Sequence, residues 1–388
     1  MDWKTYGIVT TAVICVGLAL GITLPLVSLR LDEWGYDAFA IGVMAAIPAV
    51  GMLVGAKITA RMAGWLGSEN AMRLVMVCSA ISVGLLAVWP SYALWLVLRL
   101  VLGVSLTVTF VLGESWINQL IEDRLRGRLV AVYGSAFALS QLCGPLLLGV
   151  IGTHSDSGFW LSSGLLLLGF VLLLQAAGAP IVDAASTSGK ALIGFVRKLP
   201  AVAWAVMLFA AFEAMTLTLL PVYLIREGFD AQRALFMVGA VVIGDAALQV
   251  PIGWLADKLS RTTLYKACGL VLLVSSLAIP VLLQSVLIWP VLVLFGASAG
   301  GLYTLSLILI GQRYRDDALV RANAHIAMLW GIGSLLGPLS TGAASQWLSS
   351  HALPLLLAIA ALVFIVLAWQ RGAFSDVAVA EPQTDRTA

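Results

Sequence analysis

Of 388 residues, 61% are hydrophobic and only 11% charged, with a mean hydropathy of +1.01. A water-soluble domain carries about 25% charged residues, so this balance excludes a soluble globule and points to a chain solvated by lipid. The net charge of +2 names no partner, and no basic face fit for nucleic acid accompanies it.

Apolar runs of about 20 residues, the length a hydrocarbon core of roughly 30 Å requires, recur from end to end. They predict an all-α membrane protein with twelve spans: 6–29, 38–62, 71–89, 92–119, 129–151, 158–176, 201–225, 231–255, 264–283, 287–311, 322–345 and 353–369. The opening Met1-Asp-Trp-Lys4 has no cleavable signal pattern. Cys15, Cys78, Cys143 and Cys268 fall inside apolar runs without paired spacing, so neither disulfides nor metal ligands are expected. With both termini placed in the cytoplasm, 18 of the 22 Lys and Arg residues fall on that side. Arg30, Arg226 and Arg233 fall outside, and Arg99 within a span. The positive-inside rule fixes that orientation.

The two halves of the chain repeat. Leu24-Pro25 with Arg30 recurs as Leu220-Pro221 with Arg226, Gly35-Tyr-Asp-Ala38 as Gly228-Phe-Asp-Ala231, and Gly144-Pro145 as Gly337-Pro338. The spacing of these repeats predicts a duplicated six-helix unit. It divides the chain into a first half (1–177), a cytoplasmic linker (178–200), a second half (201–372) and a cytoplasmic tail (373–388). Ile193, Phe195 and Val196 against Lys190, Arg197 and Lys198 give the linker a weakly amphipathic stretch suited to a membrane surface.

Span eight closes on Gly253-x-x-x-Asp257-Lys258-x-x-Arg261, which resembles the loop motif of the major facilitator superfamily of transporters. Ser260 and Thr262 depart from it. In the first half the same position reads Ala60-Arg61 and has lost its carboxylate. Arg99-Leu-Val-Leu-Gly103 resembles the family's span-four element. Ser140-x-x-x-Gly144-Pro145-x-x-x-Gly149 resembles its glycine-proline element, with departures at Ser140 and Leu148. Glu114-Ser-Trp-Ile-Asn118 followed by Arg126-Gly-Arg128 resembles a poorly described bacterial branch of the superfamily. The resemblance implies two pseudo-symmetric six-helix bundles, alternating access, and spans three, six, nine and twelve facing lipid.

Buried charge marks where chemistry is to be sought. Glu213 lies about 18 Å from the cytoplasmic face by helical rise, and Asp245 stands at similar depth in span eight. A carboxylate there costs about 2.5–3.5 kcal/mol, so it is either a proton or substrate site or a structural hydrogen-bonding acid. Gln249 is one turn from Asp245 and Thr216 nearly one turn from Glu213. Tyr223 and Tyr303 offer rings to cargo. Arg99 reads either as a counter-charge for protons or anions or as a side chain snorkelling outward. Glu114, Arg126, Arg128 and Arg321, with Gly253, Asp257, Lys258 and Arg261, are expected at a cytoplasmic gate. Gly144, Pro145, Gly337 and Pro338 are expected as helix hinges. His325 reads as a satisfied polar residue near a membrane face.

No Walker loop is present, so ATP is not expected as a partner, and no cofactor or metal is called for. Serine, histidine and acid do not converge in a hydrolytic pattern, so an enzyme is not expected. The expected partners are a small-molecule substrate, protons and the lipid bilayer. The reading favours proton-coupled export of an amphipathic or cationic compound across a bacterial inner membrane. An uptake symporter for a small metabolite and a transport-inactive receptor or scaffold are the alternatives.

Overall fold

The computed structural model describes residues 2–121, 126–176, 178, 189–314 and 316–370. Among the described residues fourteen helices follow one another. The first six are α1 (Trp3–Glu33), α2 (Ala38–Leu66), α3 (Ser68–Val88), α4 (Tyr92–Leu120), α5 (Arg126–Ile151) and α6 (Ser157–Leu173). After α7 (Gly189–Lys198) come α8 (Pro200–Thr218), α9 (Leu220–Arg226), α10 (Ala231–Lys258), α11 (Arg261–Leu282), α12 (Ile288–Arg313), α13 (Asp316–Trp347) and α14 (Ala352–Trp369). Among the described residues ten helices are long and apolar enough to cross a membrane. The shorter apolar α6 and the 28-residue α10 complete the twelve predicted spans. Helices are the form this composition dictates, because a lipid-solvated backbone must satisfy its polar groups within its own segment. The hydroxyls obey the same rule: Thr23, Thr59, Thr109 and Ser306 each donate to the carbonyl four residues back, at 2.7–2.9 Å.

Two differences from the sequence expectation have physical causes. Span seven is divided into α8 and α9 at Leu219, two residues before Pro221, whose missing N–H weakens the ladder through that turn. The linker helix α7 does not rest on a surface alone. Its Phe195 is buried against His325 (ring centroids 5.1 Å apart) and Tyr314 (6.4 Å), while Ile193 remains exposed.

The duplication is visible in the turns and in the helix crossings. Gly35 (φ +79°) and Gly228 (φ +97°) both end a helix in the left-handed region that a side chain disfavours. Asp37 and Asp230 then cap the next helix, accepting from Ala40 N at 2.7 Å and Arg233 N at 2.9 Å. Helix contacts recur 193 residues on. Gly51 lies directly on the Leu100 carbonyl, and Gly244 on that of Val293. Gly17 sits under Ser140, and Ala210 under Gly333. Small residues at these points let backbones approach to van der Waals contact, the main attraction available between helices in lipid.

The chain packs as two compact units. One comprises Met1–Ala185, Glu213–Ile243 and Ser334–Leu353; the other comprises Ser186–Phe212, Gly244–Gly333 and Pro354–Ala388. In the first unit α1 crosses α5 at Gly17 and Gly21 against Ser140 and Gly144, and α2 crosses α4 at Gly51, Gly55 and Gly103. In the second, α11 packs on α12, with the buried Tyr265 hydroxyl 2.7 Å from Ser306 Oγ. There Trp204 Nε1 donates to the Ala360 carbonyl at 2.8 Å.

Candidate functional site

Within the first unit, segments from both sequence halves meet at the end expected to be external. Arg226, closing α9, pairs with Asp32 at 2.7 Å and also donates to the Tyr36 carbonyl. Ala38 N, at the start of α2, donates to Gln346 Oε1 of α13 at 3.3 Å. Between these α2 crosses α13 backbone to backbone: a Cβ on Gly42 would stand 2.6 Å from the Pro338 carbonyl and 2.9 Å from Gly342 Cα. The counterpart crossing, α5 on α10, is made through side chains, with Leu146 lying against Gly239. Gly149 there faces Leu235 and Phe236 at 3.5 and 3.6 Å. Beside the ion pair a cavity of about 160 Å³ is lined by Ile41, Tyr223, Arg226, Glu227 and Ser345. Tyr223 Oη lies 3.0 Å from His351 Nδ1, which is 3.6 Å from Glu227. Tyr223 therefore belongs to this end cluster.

Glu213 is half-buried on α8 in the same unit. Thr216, nearly one turn on, is buried, and its Oγ1 has no hydrogen-bond partner among the described residues. Arg99 is 1% exposed, with Nε and one terminal nitrogen unpartnered among the described residues. Its guanidinium stays inside the helix packing, which removes the snorkelling reading. An unmatched buried guanidinium is costly and so favours an anion or a polarisable neighbour.

Gly144 lies against the backbone of Gly21, so its first role is the α1–α5 crossing, with Pro145 inside α5. Gly337 and Pro338 are buried in α13, and the Pro338 carbonyl faces Gly42. Glu114 is exposed near the end of α4. The side chains of Arg126 and Arg128 lie outside the described ones, as does residue 124.

In the second unit Asp245 is half-buried near the middle of α10, its Oδ1 resting directly on Gly300 of α12. The side chains of Gln249 and Asp257, and the surroundings of Gly253, lie outside the described set. Lys258 caps the ring of Trp254 one turn back, Nζ to centroid 3.7 Å. Arg321 is exposed on α13. His325 is buried with neither ring nitrogen hydrogen-bonded among the described residues, so it packs as a ring against Phe195 and not as the satisfied polar group expected.

The sequence reading missed an aromatic cluster around Tyr303. Phe209 of α8 stacks on Tyr303 at 4.8 Å and 11°. Trp330 of α13 meets both edge-on, at 5.4 Å from Phe209 and 5.1 Å from Tyr303. Phe212 and Phe295 continue the cluster inward. The first half holds the matching pair 193 residues earlier: Phe110 and Phe137, 4.5 Å apart and edge-to-face at 87°. That register was the signal available in the sequence, where Phe110 and Tyr303, like Phe137 and Trp330, stand at the repeat offset.

A helical membrane chain with duplicated halves, carboxylates within its spans and an end where both halves meet is the build of a secondary transporter. The family comparison agrees: the model described as Major Facilitator Superfamily matches residues 9–314 and 203–384, and the chain belongs to that superfamily. It is a multi-pass membrane transporter of that type. It is similar to the "Uncharacterized MFS-type transporter YcaD" of Escherichia coli strain K12 / DH10B. The two are 25% identical over 352 residues, covering 90% of this chain and 91% of the relative. Among solved structures, a D-xylose-proton symporter matches with TM-score 0.76 at 14% identity, covering 95% of this chain and 97% of its own. The nucleoside transporter NupG matches with TM-score 0.72 at 15% identity, covering 98% and 100%. At such identities these structures establish the fold.

Proposed function

We propose that this chain exports a small amphipathic or cationic compound in exchange for protons, by alternating access, across a bacterial inner membrane with both termini cytoplasmic. The observation that supports the reading is the junction in the first unit, where Asp32–Arg226 and Gly42–Gly342 join the two sequence halves and which we take to seal this end. Alternating access needs such a closure, and one that can be undone.

Glu213 and Asp245 are the proton carriers in this proposal. Each is half-buried within a spanning segment, a depth at which a carboxylate is costly and marks a proton or substrate site. A cation competing with the proton for one carboxylate couples the two fluxes by exclusive occupancy. Asp257, Lys258 and Arg261, with Gly253, act at the opposite gate, and Glu114, Arg126, Arg128 and Arg321 belong to the same face.

The uptake alternative draws on one observation, the buried Arg99 guanidinium with two unpartnered nitrogens. That arrangement suits an anionic metabolite. Reconstitution into proteoliposomes with an imposed proton gradient separates the readings. Cargo moving against the proton flow supports export, and cargo moving with it supports symport. No movement of any compound in a panel refutes transport. In Glu213→Gln and Asp245→Asn, at least one substitution is expected to stop gradient-driven movement while keeping substrate binding. Unaltered pH dependence in both singles and the double refutes the proton assignment.

A further inference from the structure

We infer that Tyr303, Trp330 and Phe209, with Asp245, form a seat for a flat, ring-bearing organic cation. This inference deepens the export reading and rests on it for the claim that the bound molecule is cargo.

The geometry is that of a corner. Phe209 and Tyr303 are nearly parallel, and Trp330 stands at 72° and 75° to them. Two aromatic planes meeting near a right angle offer one face for stacking and one edge, the arrangement that holds a flat cation from two sides. The cluster is graded in depth. Phe209, Phe212 and Phe295 are buried behind, whereas Tyr303 and Trp330 are half-buried. A purely structural aromatic core would have no reason to leave its two largest members part-open at mid-helix.

The charge is linked to the corner through α12. Asp245 rests its Oδ1 on Gly300, and Tyr303 follows Gly300 by three residues, nearly one turn along the same side of α12. A side chain at position 300 would displace the carboxylate, so the glycine is what admits Asp245 to this place. Aromatic faces and one carboxylate select a delocalised cation. A neutral sugar gains nothing from the negative charge, and a small ammonium ion leaves the rings uncovered.

The first half supports the reading independently. Phe110 and Phe137 repeat the Tyr303–Trp330 pair at the same register, and Glu114 follows Phe110 by one turn. Each half therefore carries an edge-to-face aromatic pair at this register. In the second half a tyrosine and a tryptophan replace the two phenylalanines, and Phe209 is added.

The test uses the purified full chain and equilibrium binding by titration calorimetry with three probes. N-methylquinolinium carries ring and charge, quinoline in alkaline buffer the ring alone, and tetramethylammonium the charge alone. N-methylquinolinium is expected to bind at least about tenfold more tightly than either of the others. Trp330→Ala and Tyr303→Ala are expected to weaken it roughly tenfold, and Trp330→Phe by no more than about threefold. Asp245→Asn should bring N-methylquinolinium down to the level of quinoline and leave quinoline unchanged. Elution profile and melting temperature establish that each variant is folded. If Trp330→Ala fails that check, Tyr303→Leu and Asp245→Asn carry the comparison.

Quinoline binding as tightly as the cation, or Asp245→Asn and Trp330→Ala binding like the parent, overturns the seat. So does a folded parent that binds none of the probes, or one that binds uridine or xylose in their place. Proteoliposome flux is read separately. A chain that transports under a gradient yet ignores N-methylquinolinium loses the seat and keeps the transporter reading. A chain that binds the probe without moving it does the reverse.

Discussion

Gly42→Ala is expected to open the sealed end, and the size of the effect follows from the crossing itself. The added Cβ would stand 2.6 Å from the Pro338 carbonyl and 2.9 Å from Gly342 Cα. Both are backbone atoms, so neither can swing away. An ordinary C···O approach is about 3.3 Å, so α2 and α13 must part by roughly 0.7 Å. Overpacking of this kind costs about 1–3 kcal/mol. Only the sealed arrangement bears that cost, so the population shifts toward the open end by about 5- to 150-fold. The helix itself works the other way, since alanine replacing glycine within it stabilises by about 0.5–1 kcal/mol in either arrangement. The assay places a thiol at Ser345→Cys, which lines the adjoining cavity, in a chain whose four native cysteines are replaced by serine. A membrane-impermeant maleimide is added on the side proposed as external. Labelling should accelerate at least about fivefold in Gly42→Ala. Gly64→Ala in the same helix, where a Cβ would meet nothing within 4 Å, should label at the parent rate. Equal rates for Gly42→Ala and the parent, both folded, refute the reasoning.

Arg226→Ala should accelerate the same labelling by no more than about fivefold, because Arg226 is 41% exposed and such pairs contribute about 0.2–1 kcal/mol. Exchanging the charges (Asp32→Arg with Arg226→Asp) should restore the parent rate, and a rate unmoved by either change removes the pair from the closure. Asp257→Asn is expected to slow turnover and leave equilibrium substrate affinity within a few fold, which binding and flux measured on one preparation will check. Phe195→Ala should lower the melting temperature, since removing a buried phenylalanine costs about 3–5 kcal/mol. Ile193→Ala, on the exposed face of the same short helix, should leave the melting temperature unchanged.

The helical class and the duplication were legible because lipid permits so few solutions: an apolar run of the right length has to be a helix. The turns were legible too, since Gly35 and Gly228 need a backbone that other residues avoid and Asp37 and Asp230 follow as caps. Helix facing was not legible. Spans hydrophobic all round carry almost no periodic signal, so nothing local told which side of Tyr303 or Trp330 turns inward. Arg99 was undecided for the same reason: its depth allowed an escape to the interface, and only its packing closes that route. The division of span seven at Leu219 was hinted at by Pro221. Pro25 sits at the matching place inside an unbroken α1, so the proline alone does not decide it.

Gly149 and Gly342 occupy the same place in the repeat, yet one faces Leu235 and the other faces Gly42. Two identical six-helix chains pairing about a two-fold axis would be obliged to use one residue at both places, glycine twice or leucine twice. Joining the copies in a single polypeptide lifts that obligation, and here it has been used: one seam is drawn backbone to backbone and the other is cushioned by a side chain. Covalent fusion thus does more than fix the stoichiometry of the halves. It lets inheritance act on each seam separately, which no symmetric assembly of two gene products can do.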